Sequence, residues 1–149
     1  MNLRKGTRYA LYAAMEMARS ADGVPVTSAL VAERYGISSA VLAKTFQQLV
    51  RAGLAAGTRG VRGGYTLTRP PTSVTVLDVI EAFESPRAPD QCLLADQDDP
   101  ACTRSGSCRI RRLFDEVDEM ARSTYASVTL DTLVGNRTSR AGELRVLSG

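Results

Sequence analysis

Residues 27–53, TSALVAERYGISSAVLAKTFQQLVRAG, contain two helix-forming segments separated by Gly36. Thr27 or Ser28 can cap the first segment, because their side-chain oxygens accept hydrogen bonds from the free N–H groups of a first helical turn. This helix is expected to run to about Tyr35. Gly36 then stands where a helix C-terminus favours a left-handed residue.

The second segment begins at Ser38 or Ser39, either of which can cap it, and Gly53 ends it. Its apolar positions recur at the spacing of one helical face, and we expect them to face the core: Leu42, Phe46 and Leu49. A helix, a tight turn with glycine and a second helix form the layout of a helix-turn-helix.

The other face of this second helix carries small or hydrogen-bonding residues: Ser38, Ser39, Ala40, Ala43, Lys44 and Gln47. Short side chains let a helix lie deep in the major groove of DNA, where Gln and Lys can reach base edges and phosphates. We therefore predict that this face reads DNA. An ordinary amphipathic surface helix is the alternative.

A hairpin with a glycine- and arginine-rich tip is predicted to follow the second helix. Residues 54–56 form one strand, residues 57–64 the tip and residues 65–67 the other strand. The candidate DNA-contacting residues of the tip are Arg59, Gly60 and Arg62. Narrow minor grooves attract arginine, and glycine lets the backbone approach phosphate closely. The position of this wing after a helix-turn-helix favours DNA binding over simple turn formation.

Helices are predicted on both sides of this unit. Residues 8–20 are rich in helix formers and are expected to form a buried first helix. Residues 74–84 form a short helix with four apolar residues directed inward: Val76, Val79, Ile80 and Phe83.

The longest predicted helix begins at residue 109 and carries a near-heptad stripe of mostly apolar residues. The stripe consists of Ile110, Leu113, Val117, Met120 or Ala121, Thr124 and Val128. So short a chain offers no obvious partner for this stripe, so we expect it to form a homodimer interface. Packing on the chain's own winged domain is the alternative. Residues 129–133 add one helical turn.

All three cysteines lie between the predicted helix of residues 74–84 and the one that begins at residue 109: Cys92, Cys102 and Cys108. Nine residues separate the first pair and five the second, and the spacers are rich in turn-forming residues. A disulfide framework is disfavoured, because the count is odd and no export signal is seen. The chain has no histidine, so one subunit cannot complete a zinc site from Cys and His alone. An iron–sulfur cluster is the strongest candidate, and a loop of thiols open only to occasional oxidation is the alternative.

Length and charge are consistent with these assignments. A chain of 149 residues suits one compact domain, or a small domain with a dimerisation arm. Residues 1–80 hold ten Lys and Arg against four Asp and Glu, whereas residues 81–149 hold nine against twelve. The basic half suggests a polyanion partner. No run of about 18 apolar residues and no signal peptide is seen, so we expect a cytoplasmic protein without membrane association.

With these segments placed, the chain resembles the Rrf2 family of bacterial transcription regulators, which includes IscR-like and NsrR-like iron–sulfur repressors. The resemblance covers residues 1–135 and is most specific in the three-cysteine segment and four further stretches. These are GTRYAL (6–11), YGISSAVLAKTFQQLVRAGL (35–54), RGVRGGYTLTRPP (59–71) and VTVLDVIEAFE (74–84). It implies a homodimer with a winged helix-turn-helix, a long dimerisation helix and a cluster held by cysteines.

The resemblance also implies roles for individual residues. Cys92, Cys102 and Cys108 would ligate a [2Fe–2S] or [4Fe–4S] cluster, while residues 38–47 and 59–62 would meet DNA. The family takes its fourth ligand from a His three residues after the third cysteine or from an Asp near the start of the first helix. The matching positions here are Arg111 and Arg8. The candidates for this ligand are Asp115, Glu116, an acid from the partner subunit or a small molecule.

We therefore expect a mainly helical fold with a small β wing, namely a winged helix-turn-helix domain plus a long dimerisation helix. The expected divisions are a DNA-binding domain (1–84), a cluster-binding loop (85–108), a dimerisation helix with a short following helix (109–135) and a flexible tail (136–149). The expected function is a repressor that binds double-stranded DNA and senses nitric oxide, redox or iron–sulfur status. The alternatives are a thiol-redox regulator without a cluster and an iron–sulfur carrier. No nucleophile or nucleotide motif suggests an enzyme.

Overall fold

The computed structural model describes residues 3–20, 23–85 and 108–135, and within these ranges it contains six α-helices and one β-hairpin. The elements are α1 (Lys5–Arg19), α2 (Ser28–Tyr35), α3 (Ser39–Arg51), β1 (Ala55–Thr58), β2 (Gly64–Leu67), α4 (Val76–Glu81), α5 (Arg109–Ser127) and α6 (Leu130–Val134). A 3-10 turn, Pro71–Ser73, connects the hairpin to α4. The predicted fold class, mainly helical with a small β wing and a long helix, is confirmed.

The turn between α2 and α3 follows the local signals in the sequence. The Thr27 hydroxyl accepts a hydrogen bond from the backbone N–H of Leu30 at 3.2 Å, and Gly36 adopts a left-handed conformation with φ 63°. Ser38 is the N-cap of α3, but its side chain makes no capping hydrogen bond. The prediction of a serine side-chain cap on α3 is therefore wrong, although the helix starts where it was expected.

The hairpin is the predicted wing with slightly different limits. Its strands are antiparallel, with Ala55 opposite Leu67 and Thr58 opposite Gly64. Val26 adds a further antiparallel bridge, because its backbone N–H donates to the Tyr65 carbonyl at 2.9 Å and its carbonyl accepts from Tyr65 N–H at 2.8 Å. The segment before α2 thus fixes the base of the wing.

The core lies between α1, α3 and the elements that close over them. The three residues predicted to face inward from α3, Leu42, Phe46 and Leu49, are fully buried. The buried apolar residues of α1 are mostly alanines: Ala10, Ala13, Ala14 and Ala18, with Met17. Alanines on α1 let the larger α3 side chains pack closely against its backbone. Val76, Val79 and Ile80 of α4 are buried as predicted. Phe83, which follows the end of α4, is only half-buried.

Helix α5 contains no buried residue and joins the rest of the described structure near its C-terminal end. The backbone N–H of Val76 donates to Val128 at 2.8 Å, and the N–H of Leu130 donates to Val74 at 2.9 Å. Leu130 is fully buried in the same core as α1, so α6 packs on α1 and on the 3-10 turn before α4.

Several predictions concern residues that the structure does not describe. Cys92, Cys102 and the tail from residue 136 lie outside the described residues, and the expected division of the chain into 1–84, 85–108, 109–135 and 136–149 stays a prediction. Among the described helices, none is both long and apolar enough to cross a membrane.

A buried carboxylate joins α1 to α2. Glu16 is only 3% exposed, and its oxygens accept hydrogen bonds from Arg19 at 2.7 Å, from the Tyr35 hydroxyl at 2.7 Å and from Arg34. Burial alone would raise the pKa of Glu16, but the hydrogen bonds from Tyr35 and Arg19 and the positive charges of Arg34 and Arg19 together lower it. Glu16 is therefore negatively charged in the folded protein at neutral pH.

We predict that Glu16→Gln lowers the free energy of unfolding at pH 7 by about 1–3 kcal/mol, because it removes charge-assisted hydrogen bonds from a buried site. The pKa of Glu16 is lowered by folding, so its stabilisation is complete above the ordinary glutamate pKa of about 4.3 and is lost as the pH falls towards the folded value. The difference between wild type and variant should shrink over that range. Urea unfolding at a series of pH values measures it.

Glu33→Gln is the matched control, because Glu33 is exposed on α2 and its replacement should change stability by less than about 0.5 kcal/mol. If wild type and Glu16→Gln lost stability in parallel on acidification, the assigned role of Glu16 would be wrong.

Candidate nucleic-acid interface

Helix α3 separates its residues into a buried and an exposed face. Thr45, next to the apolar core residues, is buried and donates its hydroxyl to the Val41 carbonyl at 3.0 Å. All five residues predicted to contact DNA from this helix are exposed: Ser38, Ser39, Ala40, Lys44 and Gln47. The Ser38 side chain accepts no hydrogen bond from the first-turn N–H groups of α3, and such N–H groups at a helix N-terminus can bind an anion such as phosphate.

The wing tip is tight and directed away from the core. The N–H of Gly63 donates to the Gly60 carbonyl at 2.9 Å, and Gly60 has φ 113°, a conformation that favours glycine. A Cβ on Gly63 would lie 2.4 Å from the Thr58 carbonyl oxygen, so only glycine fits there. This turn leaves Arg59, Gly60 and Arg62 exposed, which the predicted DNA contacts require.

An aromatic stack fixes the wing relative to α3. The rings of Phe46 and Tyr65 are parallel to within 14°, with centroids 4.5 Å apart. Tyr65 is also the residue of β2 that pairs with Val26. The exposed face of α3 and the wing therefore belong to one rigid surface.

Open grooves lie on both sides of the wing. One, of about 430 Å³, is lined by Gln47, Val50, Arg51, Gly57 and Tyr65. The other, of about 420 Å³, is lined in part by Thr27 and Ser28 at the start of α2 and by Thr58, Arg59 and Gly60 of the wing. The sequence prediction did not include Arg51, although it follows Gln47 by four residues and so shares its helical face.

The surface of α3 and the wing carries positive charge without compensating acids. Residues 34–77 contain six Lys and Arg and no Asp or Glu. Within the described part of the chain, no ion pair forms with any of the four cations of α3 and the wing tip: Lys44, Arg51, Arg59 and Arg62. Elsewhere, seven arginines do pair with a carboxylate: Arg4, Arg19, Arg34, Arg69, Arg111, Arg112 and Arg122. This contrast marks the surface as one built for a polyanion.

Of the three predicted cluster ligands, the structure places Cys108. Its half-buried side chain stands at the N-cap of α5, and the first turn of that helix has no acidic residue but contains Arg109, Arg111 and Arg112. Among the described residues, no three His, Cys, Asp or Glu side chains lie close enough together to hold a metal ion. The structure therefore does not test the predicted ligand set.

The exposed residues of α5 include most of the predicted stripe, but Val128 lies just beyond the end of α5 and is half-buried. Five large apolar side chains are between 45% and 70% exposed: Ile110, Leu113, Phe114, Val117 and Met120. Phe114 was not in the predicted stripe, but it lies four residues from Ile110 and widens the same face. An α-helix of 19 residues is about 28 Å long, so this apolar face is extended.

Comparison with known proteins agrees with the geometry. A family model described as Rrf2, iron-dependent transcriptional regulator, matches residues 3–136. The chain is 32% identical over 133 residues to protein rrf2 of Nitratidesulfovibrio vulgaris, covering 89% of this chain and 85% of that protein. It is 31% identical over 137 residues to the HTH-type transcriptional regulator IscR of Klebsiella pneumoniae, covering 92% and 82% respectively. Its fold is similar to CymR, the global cysteine regulator of B. subtilis, with a TM-score of 0.72, 24% identity and coverage of 91% and 97%.

Proposed function

The chain belongs to the Rrf2 family of transcriptional regulators, and from that premise we propose that it is a dimeric repressor whose operator binding is controlled by an iron–sulfur cluster. The observation that carries DNA recognition is the acid-free, positively charged surface formed by α3 and the wing. Helix α3 lies in the major groove, where Lys44 and Gln47 reach base edges and phosphates, and the wing places Arg59 and Arg62 at the adjacent minor groove.

Arg59→Ala should weaken DNA binding and reduce the slope of log K against log salt concentration by about 1, because one phosphate contact and its released counterion are lost. The measurement is fluorescence anisotropy with a duplex that the wild-type protein enriches from a random-sequence library, at several salt concentrations. The control is Arg112→Ala, which removes the same charge from an arginine that is paired with Glu116 on α5, and all three proteins are compared at equal iron and sulfide content. An unchanged slope for Arg59→Ala would show that Arg59 makes no phosphate contact.

The exposed apolar face of α5 supports a homodimer. Helix α5 buries none of its own residues against the described part of the chain, and its apolar residues follow the spacing of a helix that packs on another helix. A second copy supplies an identical stripe, and a two-fold axis makes the two stripes self-complementary. The two α3 helices then occupy half-sites about one DNA turn (~34 Å) apart.

Leu113→Glu combined with Val117→Glu should convert the protein to a monomer, because two charges are placed in the apolar contact. Light scattering should give twice the chain mass of 16.0 kDa for wild type and the single chain mass for the variant. Because the monomeric variant cannot occupy both half-sites at once, its affinity for the enriched duplex should be lower than that of wild type. Glu119→Gln, also on an exposed position of α5, should stay dimeric. A monomeric wild type would exclude this interface.

The cluster proposal starts from the chemistry of the donors. Thiolates are normal iron–sulfur ligands, and the described one, Cys108, stands at a helix N-terminus with arginines in the first turn. Such a position stabilises the negative charge of a thiolate-ligated cluster. Cys92, Cys102 and Cys108 would hold the cluster, which would supply iron able to react with nitric oxide, oxygen or oxidants. The fourth ligand is proposed among Asp115, Glu116, a partner-subunit acid and a small molecule. Of these candidates, Asp115 already forms an ion pair in the described structure, with Arg111 Nε 3.6 Å from its carboxylate oxygen.

Protein purified without oxygen should contain iron and sulfide and absorb visible light, and Cys102→Ala and Cys108→Ala should each lose both. Iron and sulfide analysis with visible spectra measures this. A colourless wild type that still binds the enriched duplex would replace the cluster with the second candidate, a thiol-redox regulator of the same fold. A brown protein that binds no duplex would favour an iron–sulfur carrier.

A further inference from the structure

The last residue of α4 and the turn after it contact three other helices through Glu81, Ala82 and Glu84. We call residues 81–84 the α4 turn. Glu81 accepts a hydrogen bond from Arg122 of α5 at 2.5 Å. The Ala82 carbonyl accepts one from the side chain of Gln48 of α3 at 2.8 Å. Glu84 accepts the backbone N–H of Arg4 at 2.8 Å and the hydroxyl of Thr7, both at the start of α1.

The bond from Gln48 is the one that reaches the DNA-reading helix. Ala82 is the C-cap of α4, and carbonyls at a helix C-terminus have no partner within their own helix. Gln48 satisfies this carbonyl from 34 residues away in sequence. Gln48 is half-buried with its amide turned inward, whereas its neighbour Gln47 is exposed. Gln48 thus has a different task from the residues proposed to touch DNA.

From these contacts we propose that Gln48 is a positioning residue for operator binding, through which the α4 turn fixes the orientation of α3. This inference rests on the proposed DNA-binding function and extends it to regulation. The chain continues from the α4 turn into the segment that holds Cys92, Cys102 and Cys108, and α5 contacts the same turn through Arg122. A displacement at either place is passed to α3 by the Gln48–Ala82 bond.

Specific and nonspecific DNA binding separate this role from a general contribution to stability. Contacts to base edges need α3 in one orientation, whereas phosphate contacts tolerate small changes. Gln48→Met keeps the size of the side chain but cannot donate. Gln48→Met should weaken binding to the enriched duplex about tenfold, because this is the loss of affinity expected when one base contact is misplaced. Binding to a random-sequence duplex of equal length should stay within about twofold.

Gln48→His provides the rescue, because a ring nitrogen of histidine can donate where the glutamine amide does. It should retain affinity for the enriched duplex within about threefold of wild type if the donated bond is what matters. Equal losses in Gln48→Met and Gln48→His would overturn the inference. So would equal losses on both duplexes accompanied by a lower melting temperature, since these indicate a structural role alone.

A double-mutant cycle tests whether the α4 turn acts through Gln48. Glu81→Gln should weaken binding to the enriched duplex about threefold in wild type and have no further effect in Gln48→Met, a non-additivity of at least about twofold. The matched cycle with Gln47→Met should be additive, because Gln47 makes no contact with the turn. Additivity in both cycles would overturn the inference.

The proposed function and this inference fail in different ways. If wild type enriches no sequence from the library, sequence-specific DNA binding is wrong and the positioning role falls with it. If wild type enriches a sequence and Gln48→Met binds it equally well, DNA binding stands and only the role of Gln48 is wrong.

Discussion

The packing of Phe46 determines where the surface proposed to bind DNA lies. Phe46 is fully buried on α3 and stacks on Tyr65 of the wing, which in turn pairs with Val26 before α2. A helix has one axis, so fixing Phe46 inward also fixes which residues point outward. Lys44 and Gln47 are exposed beside the wing because Leu42, Phe46 and Leu49 are not. One aromatic contact thus aligns the two parts of the surface.

The C-terminal helices depend on a different kind of contact. Helix α5 adds no side chain to the core, so it is held by the backbone pairing of Val74 and Val76 with Leu130 and Val128 and by the ion pair between Arg122 and Glu81. Leu130 anchors the chain beyond α5 in the core. This arrangement leaves most of a 19-residue helix free to meet a partner while its end keeps a fixed position.

The features that could be predicted from the sequence are those that depend on interactions between residues close together in the chain. The Thr27 cap, the Gly36 turn and the inward face of α3 follow from side chains within a few residues of one another, and the structure confirms them. Contacts between distant segments were not predictable. A glutamate such as Glu16 is ordinarily exposed, and its burial depends on Arg34 and Tyr35 arriving from another helix. The Gln48–Ala82 bond was missed for the same reason. The exposed faces of α3 and α5 could be predicted, because the helical spacing of apolar and polar residues in the sequence is enough to separate the two faces of a helix.

The distribution of charge suits the two exposed faces to the different partners proposed for them. The surface of α3 and the wing has positive charges and no acid in its sequence, so it attracts a polyanion and repels a second copy of itself. Helix α5 balances its charges internally, for example in the pair of Arg112 with Glu116, so two copies can approach through its apolar stripe. The faces are linked through the segment from Val74 to Glu84. Among the described residues, α5 meets the rest of the protein through that segment and through the chain that leads into α6, so an event at α5 would reach α3 by these contacts.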